Sequence, residues 1–508
     1  MAVDQLKAGA ALSYLIIVVS ILAGVLYTPF MLRMLGQAEY GLYSLGASII
    51  AYLTVLDLGF GNAIVRYTAK FRAEGREEEQ YELFGMFIRL YIGIGLVALL
   101  VGMAFVFNVD RLFGATMSSD ELSRVAIIMA IMSLNLAFTF PLSIFGSIVT
   151  AYENFIFQKV VSLIRIVLNP LVMIVLLVVG YKAIALVIAT TLFNLVTLLA
   201  NWWYCRNRLN IKIIYGKFRW EPLKEIFVYS FWIFLNAIMD KIYWSSGQFI
   251  LGIYKGAIAV AIYAVAIQLQ QLYMMFSTAI SGVFLPKVTA MVATENSTKA
   301  ISDLFIKTGR IQYIVMAFIL TGFTLFGQPF IAIWAGEEYA EAYYITLLLF
   351  VPLTVPLIQN LGITILQAQN RLKFRSLLYI TIALLSLILS ITLAPRYGAI
   401  GCAAATSLAL FVGQIVVMNI YYQRAIKIDI ANFWLQIAKM SLIPATLLLV
   451  GLGILNNQKI ETLASLIAAG CIFAVVYIPL FWRFSMNSYE RNLIRSSWLK
   501  ITNRLFSR

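Results

Sequence analysis

Apolar runs of about 20 residues recur from one end of this chain to the other, and each is long enough to cross a hydrocarbon core of about 30 Å as a helix. No other feature limits the fold as strongly. In lipid, every backbone N–H and C=O must find its partner within a helix or a closed barrel. These runs lack the in–out alternation of barrel strands. The expected class is therefore all-α: a polytopic membrane protein of about 14 transmembrane helices. The composition agrees, with 62% hydrophobic and 12% charged residues among 508, against about 45–50% and about 25% in soluble domains.

Charge placement orients the helices. Cytoplasmic segments of membrane proteins carry an excess of Lys and Arg. An even number of spans puts both termini on one side. If that side is the cytosol, inward segments hold 27 cations, outward segments 7, and the spans themselves Arg89, Arg165, Lys241 and Lys439. The net charge of +15 then follows from topology, and no nucleic acid is expected as a partner. No cleavable leader is expected, because Lys7 is the sole early cation and no small-residue cleavage site follows a short apolar core. Histidine is absent, which removes it as base, proton relay or metal ligand. The three cysteines are scattered and suggest neither disulfide nor metal site. No cofactor and no metal are expected.

The two halves resemble each other. "YKAIALVIATTLFNLV" from Tyr181 matches "YGAIGCAAATSLALFV" from Tyr397 at 7 of 16 positions, at an offset of 216. "GQAEYGLY" from Gly36 matches "GAIAVAIY" from Gly256 at its first and last positions, at an offset of 220, and Pro141 and Pro356 differ by 215. The offset equals six spans, so the copies share one orientation and form a parallel repeat. The implied plan has an N-terminal lobe at 1–205 (spans 1–6), a cytosolic linker at 206–225 and a C-terminal lobe at 226–422 (spans 7–12). Two appended spans fill 423–483. The tail, 484–508, reads as a basic amphipathic helix on the inner leaflet.

"MLGQAEYGLYSLGASI" after span 1, then "DLGFGNAIVRYTAKF" closing span 2, resemble the polysaccharide transporter family. These are Wzx-type lipid-linked oligosaccharide flippases of the multidrug/oligosaccharidyl-lipid/polysaccharide (MOP) exporter superfamily. "ILQAQNRLKFRSLL" at Ile365–Leu378 and "RYGAIGCAAATS" at Arg396–Ser407 resemble the second lobe of such proteins. The resemblance runs along essentially the whole chain as an order of spans and loops. It implies two six-helix lobes forming a V around a central cavity, plus two C-terminal helices, in a bacterial inner membrane with both termini cytoplasmic. It implies alternating access that turns a polyprenyl-pyrophosphate-linked oligosaccharide, a surface-polysaccharide repeat unit, from the inner to the outer leaflet. The implied partners are that lipid-linked substrate, membrane lipids, other polysaccharide-assembly membrane proteins, and a coupling proton or cation. Lipid II flippases and drug/cation antiporters are sister families and the alternative reading.

An ionisable side chain within a span is costly and faces protein or water. Asp57 in span 2, Arg89 in span 3 and Arg165 in span 5 lie at similar depth. They are expected either as a buried ion pair or triad that fixes these helices, or as a polar floor in which Asp57 couples protons or cations. On an ideal helix Asn62, Arg66 and Lys70 share a face about 180° from Asp57, an inner entrance for an anionic headgroup. Gly59 and Gly61 stand between the two groups and are candidate bends.

Asp240 and Lys241 interrupt span 7 near the midplane. Asn236, Asp240, Tyr243 and Trp244 share one stripe, Lys241 and Gln248 the next. Span 8 adds Gln268, Gln270 and Gln271 at comparable depth. The functional reading is a cavity wall, with the cation for pyrophosphate and the amides and rings for sugar hydroxyls and faces. The other reading is that Asp240 and Lys241 neutralise neighbouring helices. Arg33, at the outer end of span 1 with Glu39 nearby, is expected as an outer gate or a topology residue.

A drug/cation antiporter would need a cavity dominated by acids, and spans 1, 2, 7 and 8 offer only Asp57 and Asp240. An enzyme acting at the outer face would need a long loop rich in Arg, His or Glu, and the outward loops are short. The chain is expected not to be an enzyme.

Overall fold

The computed structural model describes residues 5–216, 220–281, 291, 298–369, 371–455 and 460–496. Linker residues 217–219, tail residues 497–508 and the side chain of Asn236 lie outside the described ones. The described residues contain no strand, so the class is all-α, as the apolar runs require. The first helices are α1 (Gln5–Leu53), α2 (Phe60–Ala73), α3 (Glu77–Phe107), α4 (Val109–Phe113), α5 (Ser119–Ala151), α6 (Phe155–Val178), α7 (Ala183–Asn207), α8 (Trp220–Lys255) and α9 (Ala257–Ser281). There follow α10 (Thr298–Trp334), α11 (Glu341–Ile358), α12 (Leu361–Ala368), α13 (Leu372–Leu410), α14 (Met418–Tyr421), α15 (Ile430–Leu455) and α16 (Leu463–Phe484).

Eleven described stretches are long and apolar enough to cross a membrane. Two of them, Ala11–Ala73 and Lys373–Ile426, have 63 and 54 residues, well over twice the ~20 of one crossing. Each is broken at a glycine. Gly36 in α1 has φ 76° and ψ 168°, and Gly398 in α13 has φ 57° and ψ −135°. A residue with a Cβ is strained at such angles, so glycine permits a reversal without a long loop. Gly256, the repeat partner of Gly36, joins α8 to α9 with φ 79°.

Polar punctuation sets other ends. The Ser118 hydroxyl accepts from the Glu121 N–H, and the Glu121 carboxylate accepts from the Ser118 N–H, a capping box that starts α5. Thr462 and Ser465 do the same for α16. Glu77, Glu78 and Glu79 fill the first turn of α3, where negative charge opposes the helix dipole.

The chain packs as two compact units, residues 1–264 with 383–405, and residues 265–382 with 406–508. The core of the first includes Phe60, Phe84, Phe87, Tyr91, Phe140 and Phe145, which lock α2, α3 and α5 together. Within the second, Met440, Tyr477, Phe481 and Met486 form one cluster, from α15, α16 and the turn after it.

Span 2 departs from the continuous helix used above to place its faces. α1 ends at Leu53, Thr54–Asp57 form one tight 3₁₀ turn, and Leu58 and Gly59 are both left-handed at φ 54° and φ 73°. α2 restarts at Phe60. The face arithmetic from Asp57 to Arg66 therefore does not apply across this break.

Candidate functional site

The break holds Asp57 in place. Its Oδ1 accepts from the Tyr91 hydroxyl at 2.7 Å, and the Gly59 and Gly61 backbone N–H groups also face the carboxylate. Tyr91 is fully buried, stacked on Phe140 and edge-on to Phe60. Asp57 thus works as the acceptor that the exposed start of α2 needs. Beyond it, Asn62, Arg66 and Lys70 are all exposed along α2.

The structure resolves Asp57, Arg89 and Arg165 into three separate contacts. Arg89 sits two residues before Tyr91, about 200° away around α3. With Tyr91 turned toward Asp57, Arg89 faces outward. It is exposed, and its guanidinium lies 5.2 Å from the centre of the Tyr215 ring, a cation–π contact. Arg165 is half-buried on α6 and donates to Asn194 Oδ1 on α7 at 3.2 Å. The Asn194 amide nitrogen donates in turn to Asn135 Oδ1 at 2.9 Å and Thr139 Oγ1 at 2.7 Å on α5. Asn135, Thr139 and Asn194 escaped the sequence reading. The available signal was a pair of polar residues four apart, hence on one helix face, within an otherwise apolar run.

On α8 Asp240 is exposed, while Lys241, Trp244 and Gln248 are half-buried. Tyr243 is only 1% exposed and meets Trp244 edge-on at 4.5 Å, so its ring packs rather than presenting a free surface. Gln268 and Gln271, on α9, are half-buried and exposed respectively. Gln270 is buried and donates to Met274 Sδ at 2.7 Å.

Arg33 is exposed three residues before the Gly36 break. Its sequence neighbour Glu39 turns instead to Arg124, 85 residues away, with which it forms an ion pair. Glu39 is 5% exposed, and its other oxygen accepts from the Ala183 N–H at 3.3 Å. It thereby ties α5 and the first residue of α7 to α1, near the Gly36 reversal.

Membrane-crossing helices broken by glycines and an acid, with charged side chains at mid-helix, define a polytopic membrane protein. The fold is that of MOP-superfamily transporters. It matches "Lipid II flippase MurJ, inward closed conformation" with a TM-score of 0.70 and 18% identity, over 94% of this chain and 98% of that one. It matches an inward-facing multidrug resistance MATE family transporter with a TM-score of 0.68 and 13% identity, over 81% and 94%. A family model described as "Polysaccharide biosynthesis protein" matches residues 6–292, more than half of the chain. The chain belongs to that family. It is 20% identical over 401 residues to a Shigella flexneri protein described as "Putative O-antigen transporter", covering 77% of this chain and 92% of that one. It is also 20% identical over 421 residues to "Uncharacterized membrane protein EpsK" of Bacillus subtilis (strain 168), covering 80% of each.

Proposed function

We propose that the protein is a flippase that carries a polyprenyl-pyrophosphate-linked oligosaccharide from the inner to the outer leaflet of a bacterial inner membrane by alternating access, with both termini cytoplasmic. The family, the transporter description of the Shigella flexneri relative and the MurJ-like fold support this reading. The observation that carries it is the Asp240–Lys241 pair in the middle of α8, with Asp240 exposed. Asp240 lies fifteen residues before the end of α8 at Lys255, or ~22 Å along the axis. Ionisable residues within a span face protein or a water-filled cavity, and an exposed acid at this position suits a water-lined path beside α8.

A polar, anionic headgroup needs such a path while its tail stays in lipid. In this reading Lys241 attracts the pyrophosphate. Trp244, Gln248, Gln268 and Gln271 meet the sugar, while Tyr243 holds Trp244 in place. Asn62, Arg66 and Lys70 receive the headgroup at the inner side, and Arg33 stands at the outer exit. Two negative charges moving outward across 100 mV, inside negative, gain about 4–5 kcal/mol if they cross the full field. A coupled proton or cation is a further source of drive. The mechanism forms no covalent bond and assigns no catalytic residue.

The test is deletion of the gene followed by analysis of lipid-linked sugars. A polyprenyl-linked repeat unit should accumulate on the cytosolic leaflet and surface polysaccharide should fall. Unchanged surface glycan with no accumulation would sink the proposal.

A further inference from the structure

Span 10, in the second unit, is a broken helix whose last carbonyls are answered by side chains of neighbouring spans. α11 ends at Ile358, Gln359 and Asn360 intervene, and α12 restarts at Leu361. Across the break the Gly362 N–H donates to Gln359 O at 2.8 Å and the Ile363 N–H to Asn360 O at 3.1 Å, each three residues back. The carbonyls that end α11 turn elsewhere. The Ser277 hydroxyl on α9 donates to Leu357 O at 2.7 Å. The Gln312 amide on α10, oriented by its surroundings, donates to Leu357 O at 3.2 Å and to Ile358 O at 3.1 Å. Ser277 and Gln312 are both fully buried. Gly309 makes room for this contact, because a Cβ there would lie 2.7 Å from Ile358 O.

A second irregularity in the same span is of another kind. Pro352 has no N–H, so Leu348 O has no helix donor in any conformation, and the Ser407 hydroxyl on α13 donates to it instead. That kink is built into the covalent structure. The break at Gln359 is not, because every residue from Gln359 to Ile363 keeps its N–H. In a straight helix the Gly362 N–H would pass from Gln359 O to Ile358 O, four residues back. Ser277 Oγ and the Gln312 amide oxygen, 3.2 Å apart, would then answer each other. Backbone groups inside a membrane must find partners, and here a bent and a straight form both supply them. A 3₁₀ turn within a helix often marks a hinge for this reason.

The break is tied to span 12. Gln359 Nε2 donates to Asn419 Oδ1 at 2.8 Å, and both side chains are buried. Asn419 lies on α14, which stands between two wider π turns, Phe411–Val417 and Tyr422–Ile426. Further along, Arg371 donates to Ala425 O at 3.0 Å, and the Phe374 ring stacks on Tyr421 at 4.0 Å. Gly362 leaves room for the Tyr422 hydroxyl, which an added Cβ would strike.

We propose that Gln359–Asn360 is a hinge on which α12 swings, and that α14 swings with it because Gln359 holds Asn419. Ser277 and Gln312 form the catch that keeps the hinge bent. The device belongs to the second unit alone and goes beyond the flippase reading.

The experiment is the measurement of distances between two spin labels on the purified full-length protein in nanodiscs, without substrate. Cys471, an exposed native thiol, is replaced by Ser. One label is placed at Asp303→Cys on α10 and the other at Gln367→Cys near the end of α12, both exposed positions. α12 has 8 residues, or ~12 Å, so a kink that changes by ~25° moves its end by ~5 Å. Two distances separated by that amount are expected. Ser277→Ala removes one hydrogen bond from the bent form and should shift the ratio of the two about fivefold toward the straight form. Gln312→Leu, which removes two, should shift it further. Labels at Asp303→Cys and Arg424→Cys, the latter exposed just past α14, should respond in step. Adding Gln359→Leu should abolish the Arg424 response and leave the Gln367 response in place. Gel filtration after heating confirms that each variant is folded, and Ser277→Ala, the smaller change, carries the test if Gln312→Leu does not fold.

A single distance to Gln367, unmoved by either variant, would overturn the hinge. An Arg424 response that survives Gln359→Leu would overturn the link between α12 and α14. Because no substrate is present, unchanged surface glycan in the deletion strain rejects the flippase without touching the hinge.

Discussion

Glu490→Ala should be the most damaging single change in the second unit that leaves the proposed transport path untouched. Glu490 and Arg310 are 2% and 7% exposed. Arg310 donates Nε to Oε1 at 2.5 Å and Nη2 to Oε2 at 3.0 Å, a bidentate pair. Its remaining acceptors are the Ser485 carbonyl at 3.3 Å and Gln436 Oε1 at 3.4 Å, both neutral. Glu490 also closes a capping box: its Oε2 accepts from the Asn487 N–H, and Asn487 Oδ1 accepts from the Glu490 N–H, both at 2.9 Å. Removing one partner of a buried pair leaves an uncompensated charge and costs about 3–5 kcal/mol. Replacing both partners by apolar residues removes that penalty. Arg310→Met with Glu490→Leu should then lose the capping contact, about 1 kcal/mol, together with the long hydrogen bonds from Arg310 to Ser485 and Gln436. A unit of this size shifts its Tm by roughly 2–4 °C per kcal/mol. Heating the detergent-solubilised protein and counting the folded fraction by gel filtration should show a drop of about 10 °C for Glu490→Ala and a few degrees for the double variant. Arg76→Ala, which removes ion pairs with Glu74 and Glu79 on an exposed turn, should show no measurable shift, because exposed pairs contribute little. A double variant as unstable as the single one would refute the reasoning, since the cost would then lie in packing rather than in the stranded charge.

Tyr91→Phe deletes the hydroxyl on Asp57 and should cost about 1.5–3 kcal/mol, the range for a hydrogen bond to a charged group; the same heating assay should show Arg89→Ala near wild type. Gly36→Ala should destabilise by about 1–3 kcal/mol through backbone strain alone, in a positive-φ extended region open essentially to glycine, because nothing lies within 4 Å of the added Cβ, and a slower-folding or lower-yield variant without a Tm change would contradict this. Lys241→Ala should abolish rescue of surface polysaccharide in a deletion strain at normal expression, with Lys241→Arg retaining part; full rescue by Lys241→Ala would remove Lys241 from the path.

The all-helical membrane class was legible because hydropathy is local: a run of twenty apolar residues carries its own evidence. Ser118 and Glu121, three residues apart, carry a local capping signal as well, but hydropathy passes over it, and Gly36 enters the sequence reading only as a repeat position. Contacts between helices were not legible, because they depend on rotation about each axis, and one irregular turn resets that rotation. The 3₁₀ turn at Thr54–Asp57 and the left-handed Leu58 and Gly59 did this in span 2. Glu39 was placed beside Arg33 by proximity in sequence, yet its ion pair is with Arg124. Arg310 and Glu490 are 180 residues apart, and no local pattern links them. Only the N-x-x-E spacing from Asn487 to Glu490 hinted that this acid had a fixed place.

These contacts follow one physical rule. Burying a charge in a membrane protein is tolerable when another helix of the same unit answers it. Glu39 has Arg124, Glu490 has Arg310, and Asp57 has Tyr91 with two backbone amides. Arg165 has the amide oxygen of Asn194 on α7. Composition alone counts Arg165 as one of four cations within spans and cannot separate it from the rest. Geometry separates it: the Arg165 guanidinium is turned to Asn194, whose amide reaches Asn135 and Thr139 on α5, whereas the outward guanidinium of Arg89 rests on Tyr215.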